Sequence, residues 1–210
     1  SLSESGIKAS WTRVFSPSTT VVWGAHGQLY HFAPTDFKPS PNNPINRRQT
    51  EDVQGVLGNA FVGLTHEFTE KLSGELGLRQ GVYAQLGEGK VYQYPGNDPN
   101  PDQEPSDSVF YRSAEVMQRY QGLEPRIAFR YLLRPEFSLK LAYNRNFQYV
   151  QIASNSSAGL PIDRWVLAGQ YNRPIKSDQI SLGLFHNFDQ NRWELSVEGY
   201  YKDLDHVIDL

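Results

Sequence analysis

Residues Leu132–Asn146 read LLRPEFSLKLAYNRN. To the left, IAFRYLL alternates between apolar and polar or charged positions, and to the right FSLKLAYN does the same. Arg134-Pro135-Glu136 sits between them as a tight turn, with Pro135 pre-setting φ. Side chains on a strand point to opposite faces with period two. Folded as a hairpin, the stretch therefore sorts its residues. One face carries Ile127, Phe129, Tyr131, Leu133, Leu139, Leu141 and Tyr143. The other carries Arg126, Arg130, Lys140 and Asn144. A hairpin with one greasy face and one charged face needs a different environment on each side.

The same pattern recurs around three other short turns: FSPST at Phe15, FTEK at Phe68 and FDQNR at Phe188. Asp189 and Asn191 supply the turn chemistry of the last. Eight strands follow: Gly6–Phe15, Thr20–Phe32, Gln54–Phe68, Lys71–Leu86, Gly122–Leu133, Phe137–Gln151, Gln179–Phe188 and Arg192–Lys202. They run to roughly 10–16 residues, whereas globular strands peak near ~5–6 and membrane-crossing strands need about 9–11. Their faces divide cleanly. Glu194, Ser196, Glu198 and Lys202 alternate with Trp193, Leu195, Val197 and Tyr201, and Ser73, Glu75 and Arg79 alternate with Leu72, Leu76 and Leu78. Pro125 sits near the start of its strand, where a missing N–H is tolerated.

The remaining connections are long: Ala33–Val53, Gly87–Gln121 and Ile152–Asp178, each rich in Pro, Asn, Asp, Ser or Gly. Loops of this length in a compact unit are functional or disordered. Short turns at one end and long loops at the other are the mark of an outer-membrane barrel, with periplasmic turns and extracellular loops. The expected fold is all-β, an antiparallel transmembrane β-barrel, with residues 1–210 forming a wall segment. Phe15, Phe68, Phe137 and Phe188 flank the short turns and would form part of an interfacial aromatic girdle.

Composition agrees. The chain has 210 residues, 13% aromatic, with net charge −3 and no cysteine. The mean hydropathy of −0.55 reflects alternation, not a soluble core. No apolar run is long enough for a transmembrane helix. The charge argues against a nucleic-acid partner. Absence of Cys excludes disulfides, thiolate metal sites and Cys nucleophiles. SLSESGIKAS has neither the basic nor the apolar region of a signal peptide.

Catalytic and metal motifs are missing. The histidines at 26, 31, 66, 186 and 206 do not form HExxH. His186 continues the row Ile180, Leu182, Leu184 and reads as an interfacial residue. Gly87–Lys90 (GEGK) lacks the rest of a phosphate loop and reads as an exposed turn. Asp98, Asp102, Glu104 and Asp107 lack the order of a calcium loop and read as a solvated acidic stretch. Asn155-Ser156-Ser157 is a sequon by pattern only. The chain is therefore expected to be no enzyme, with no metal and no cofactor. Recognition positions are expected in the long loops and upper strands, at Tyr149, Gln151, Arg164, Trp165 and Tyr171, because aromatic and Arg side chains anchor recognition surfaces.

From Gly122 to Asp209 the ordered series GLEPRIAFRYLL, SLKLAYNRNFQYVQ, SNSSAGLPIDRWV, SDQISLGLFHNF and WELSVEGYYKDLDHVID resembles the barrel of TonB-dependent outer-membrane transporters, in particular the Bacteroidetes-type receptors. Glu124-Pro125-Arg126, Leu160-Pro161 with Trp165, and Asp178-Gln179 carry the match. The first half joins it only through its hairpin rhythm. The resemblance implies a barrel of about 22 strands around a plug, and active uptake of a scarce nutrient such as a siderophore, glycan or peptide. It further implies outer-membrane lipid, the TonB complex, a small nutrient ligand and room for a surface lipoprotein as partners. No stretch here reads as a plug or a TonB box, so these eight strands would be a portion of that wall. The alternatives are a self-contained eight-stranded barrel with a structural or adhesion role, and a soluble β-sandwich. The closing Leu210 does not match the terminal aromatic expected of the former.

Overall fold

The computed structural model describes residues 2–32, 53–95, 104–153, 164–190 and 192–208. It forms one eight-stranded antiparallel sheet and one small two-stranded sheet. The strands are β1 (Leu2–Ser16), β2 (Thr19–Phe32), β3 (Val53–Glu67), β4 (Leu72–Gln93), β5 (Asp107–Arg134), β6 (Phe137–Gln148), β7 (Val150–Ala153), β8 (Arg164–Leu167), β9 (Ile175–Phe188) and β10 (Trp193–Asp205). The large sheet runs β1-β2-β3-β4-β5-β6-β9-β10, and β7 pairs with β8. β1 and β10 are its two edges, so the sheet is open and not a closed eight-stranded barrel. With no second large sheet facing it among the described residues, it is no sandwich either.

The register confirms the two-faced hairpin. Ile127 pairs with Tyr143, Phe129 with Leu141 and Tyr131 with Leu139, while Arg130 pairs with Lys140 and Arg126 with Asn144. The faces then propagate across the sheet. An apolar row runs Trp11, Trp23, Val62, Leu78, Pro125. Another runs Leu76, Ile127, Tyr143, Ile180, Tyr201. The opposite face carries Lys8, His26, Asn59, Gly81 and Gly122 in one row and Arg130, Lys140, Gly183 and Glu198 in another. The apolar side chains are bare: Ile7 is 80% exposed, and Trp11, Leu141, Leu182 and Val197 are exposed too. An apolar patch of this extent has no place in water; it is a lipid-facing wall.

At the short-turn end, Phe15, Phe68, Phe137 and Phe188 all lie on this apolar side. Phe68 is 4.7 Å from His66 and 6.3 Å from Phe129. His186 lies between Phe137 at 5.6 Å and Phe188 at 4.0 Å. At the other end of the same face the chemistry becomes charged. Asp178 accepts from Tyr143 Oη at 2.6 Å and Arg145 Nε at 2.7 Å. Lys176 Nζ bridges Asp178 at 3.1 Å and Asp205 at 2.9 Å.

The strands outrun several expected boundaries, most of all in β4 and β5. β4 continues to Gln93 and β5 starts at Asp107, paired Gln93 to Asp107. The expected loop Gly87–Gln121 is thus mostly a hairpin arm, and GEGK lies inside β4, not in a turn. Its register slips between Gly87 and Gly89, where Gly89 has φ 132°, a value glycine tolerates. The arm escaped detection because above the lipid both its faces meet water and the alternation fades. The expected connection Ile152–Asp178 also contains structure: β8, and the start of β9 at Ile175. The expected strand Phe137–Gln151 breaks at Tyr149 into β6 and β7. Residues 33–52, Asp98 and Asp102, Asn155, Leu160-Pro161 and Asn191 lie outside the described residues.

Glu124 marks the fork where β6 leaves β5. β5 and β6 pair only as far as Arg126 and Asn144. Beyond that point Glu124, 1% exposed, fills the fork. Its carboxylate accepts Arg79 Nε at 2.6 Å, forms an ion pair with the same guanidinium, and accepts the backbone N–H of Phe147 at 3.3 Å. A side chain thus satisfies a donor that strand pairing no longer can.

Two substitutions test this architecture in the full-length barrel refolded into lipid vesicles. Leu141→Arg, at mid-height on the apolar face, is expected to cost about 2–4 kcal/mol, and Ala142→Arg on the opposite face less; equal costs in a urea titration would reverse the assigned faces. Glu124→Ala is expected to cost about 1–3 kcal/mol, by leaving Arg79 and the Phe147 N–H without their acceptor. A cost no larger than that of Glu75→Ala would remove the fork role.

Candidate functional site

Above the fork, the described ends of the chain between β6 and β9, around Tyr149–Gln151 and Val166–Arg173, turn onto the polar face of the sheet. This is the face that a closed barrel encloses. Here lies a cluster of buried apolar residues, Leu57, Tyr83, Tyr149 and Ala168, with Tyr30, Tyr120 and Phe147 packed around them. Tyr149 stacks on Tyr83 of β4, ring centroids 4.8 Å apart and planes 14° from parallel. Backbone and side-chain hydrogen bonds complete the docking. Ala168 N donates to the Tyr149 carbonyl at 2.7 Å, Tyr120 Oη donates to the Gly169 carbonyl at 2.8 Å, and Gln151 Nε2 donates to the Arg173 carbonyl at 3.1 Å.

Glycines on the wall make room for these rings. A Cβ on Gly122 would lie 2.4 Å from the Phe147 ring, and one on Gly55 would lie 3.0 Å from that of Tyr83. At Gly81 it would meet Asn59 Oδ1 at 2.9 Å and Tyr149 Oη at 3.3 Å. Among the described residues the buried Tyr83 and Tyr149 hydroxyls have no hydrogen-bond partner, so the shape of their rings sets the contact. Burial pushes the Tyr149 phenol up to about 12, so it stays neutral.

An opening of about 220 Å³ borders residues 166–172 of this segment, and two more lie nearby. One is a cleft of about 620 Å³ between the β4–β5 arm and the connection, lined by Gln93, Tyr111, Gln118, Gln170, Arg173 and His206 among others. The second, of about 290 Å³, lies lower on the polar face. Lys8, His26, Asn59, Phe61, Arg79 and Arg126 surround it over Gly63 and Gly77. Lys8 Nζ sits 5.5 Å over the Phe61 ring, a cation–π distance. Among the described residues, no group of three or more His, Asp or Glu gathers into a metal site.

The expected recognition residues separate in space. Tyr149 is 5% and Gln151 3% exposed; both serve the docking of the connection and present no open surface. Tyr171 is half-buried beside the arm, its hydroxyl donating to the Tyr92 carbonyl and its ring edge-on to Tyr94 at 6.1 Å. Arg164 and Trp165 lie in β8, opposite Ala153 and Ile152. Sequence reasoning missed Gln93, Tyr111 and Gln118, because the arm was read as loop, and His206, because it was read only as one of five scattered histidines. It also missed Glu124 and Gly122 as fork and notch. The one available signal was a carboxylate and a glycine interrupting an otherwise regular strand.

Comparison with known proteins places this geometry. The family model described as TonB dependent receptor-like, beta-barrel matches residues 4–210. No curated protein matches. Three solved structures share the fold. The alcaligin outer membrane receptor FauA from Bordetella pertussis is 16% identical, with TM-score 0.58, over 98% of this chain and 30% of its own. The ferric-catecholate import receptor Fiu from E. coli is 11% identical, with TM-score 0.54, over 97% and 31%. The hemophore receptor HasR of Serratia marcescens, solved with its hemophore HasA and heme, is 17% identical, with TM-score 0.59, over 97% and 33%. The chain thus spans about a third of the length of these receptors. With nearly its whole length matched, it belongs to the TonB-dependent receptor-like β-barrel family of the bacterial outer membrane.

Proposed function

We propose that these 210 residues are part of the barrel wall of a transporter that actively takes up a scarce nutrient across the outer membrane, driven by the TonB complex. The carrying observation is the two-faced sheet whose residues 4–210 match the family's barrel. Its apolar face meets lipid and its polar face lines the lumen. A plug and a TonB contact belong to the two-thirds of such a receptor that lies beyond these residues. Transport, not catalysis, is the family's work.

The nutrient is drawn from siderophores, glycans or peptides. The solved relatives are named for alcaligin, for ferric catecholates and for a hemophore with heme. At 11–17% identity they support the fold and leave the ligand to this chain's own residues. Tyr171, with Arg164 and Trp165 of β8, remains the proposed recognition set of the connection. The cleft beside the arm adds Tyr111, Gln118 and Arg173. Phe15, Phe68, Phe137 and Phe188 are proposed as the periplasmic girdle that anchors the wall in the headgroup layer. A surface lipoprotein and the Bacteroidetes-type assignment rest on the sequence series alone.

The test is uptake by the intact host. Cells lacking the receptor gene, cells lacking TonB and complemented cells are given an iron-loaded siderophore, a fluorescent oligosaccharide and a labelled peptide. Uptake of one class is expected to fall at least tenfold in both deletions and to return on complementation. Uptake that survives loss of TonB, or a parent gene with no plug-coding region, would end the transporter reading.

A further inference from the structure

We propose that the two described limbs beside the β6–β9 connection, residues 147–151 and 166–170, form a fixed ledge inside the barrel mouth, latched to the wall by an aromatic–glycine seat. This goes beyond the transport reading and does not depend on which nutrient is carried.

Three observations carry it. First, the ring positions are built from both sides. Phe147 comes from the end of β6 and Tyr149 from the start of the connection, and Gly122 and Gly81 clear the space they occupy on β5 and β4. Gly122 and Gly81 face each other directly in the β4–β5 register, so the notch spans two strands at one height. Any side chain at Gly122 would overlap the Phe147 ring. Second, the departure of β6 from β5 has its own device. Glu124, held by Arg79, accepts the Phe147 N–H at the point where pairing stops. A loop that merely rested on the wall would need no such acceptor. Third, the far limb is tied as firmly as the near one. Ala168 is fully buried and its N–H bonds to Tyr149, while the Gly169 carbonyl accepts from Tyr120 of the wall. Gln85 packs so closely on Gly169 that a Cβ there would lie 2.4 Å from its Oε1.

Such a ledge acts on what passes it. It narrows the lumen above Asn59 and Arg79, and it gives the 620 Å³ cleft one wall of constant position. The cleft is then preformed, so its contacts need no ordering of this wall when a ligand arrives. Movement at the mouth is left to segments other than residues 147–151 and 166–170.

The test is hydrogen–deuterium exchange of the full-length, ligand-free receptor in lipid nanodiscs. The amides of Phe147, Ala168 and Gly169 are expected to exchange at least 100-fold more slowly than unstructured peptide amides, as those of Val62 and Leu78 in the wall do. Exchange within tenfold of the unstructured rate overturns the proposal. Gly122→Val, which fills the notch, should speed exchange at Ala168 and Gly169 at least tenfold and leave the β1–β2 amides unchanged. Where that variant fails to fold, Tyr149→Ala takes its place with the same expected result. Tyr149→Phe should keep full protection, because the hydroxyl has no partner among the described residues. If the ledge stays protected in both Gly122→Val and Tyr149→Ala, the aromatic seat is not the latch.

Discussion

Backbone hydrogen bonding in lipid is the constraint from which the rest of this molecule follows. Hydrocarbon offers no partner to an N–H or C=O, so a spanning strand must satisfy every group through its neighbours. The register shows how completely this is done. Each strand from β2 to β9 in the large sheet is paired on both sides through the membrane-spanning height. The pairing forces alternation, because consecutive side chains then face lipid and lumen in turn. That is why Arg130 and Lys140 lie together on one side of a hairpin, and Phe129 and Leu141 on the other.

Where strands leave the lipid, the constraint relaxes and the chain uses the freedom. β4 and β5 continue as a two-stranded arm. β6 instead peels from β5 at Asn144, and Glu124 stands in for the missing strand partner. The wall below can be read as repeating pairs. The fork above cannot, since it depends on one carboxylate reaching a backbone donor 23 residues later in the chain. At the mouth, side-chain shape, with Tyr149 on Tyr83 and Phe147 over Gly122, joins the backbone hydrogen bonds in holding the chain to the wall.

This division also decides what could be read from sequence. All four short turns, eight wall strands and both faces of the β5–β6 hairpin were legible, because a period of two between lipid and lumen writes itself into residue order. The arm at Gln93 and Asp107 was not, since water on both sides erases the period. Tyr149 and Gln151 were expected as recognition positions, whereas their burial against Tyr83 and the Arg173 carbonyl depends on long-range packing that no local pattern encodes. Arg79 and Glu124, 45 positions apart, meet for the same reason.

The charged cluster at the upper end of the lipid face has a consequence for depth. On β9 the apolar row runs from Phe188 to Ile180 and stops at Asp178, which Tyr143, Arg145 and Lys176 hold in place. Ten residues at ~3.4 Å each, tilted by about 40°, span roughly 25 Å of height, close to the apolar band of outer-membrane barrels. The two ends of that span are unlike, phenyl rings below and a salt-bridged carboxylate above. Sinking the wall by one residue pair would push Asp178 and Arg145 into hydrocarbon; raising it would lift Phe137 and Phe188 out of the headgroups. The wall therefore carries its own waterline, and a bilayer of different thickness must deform to meet it.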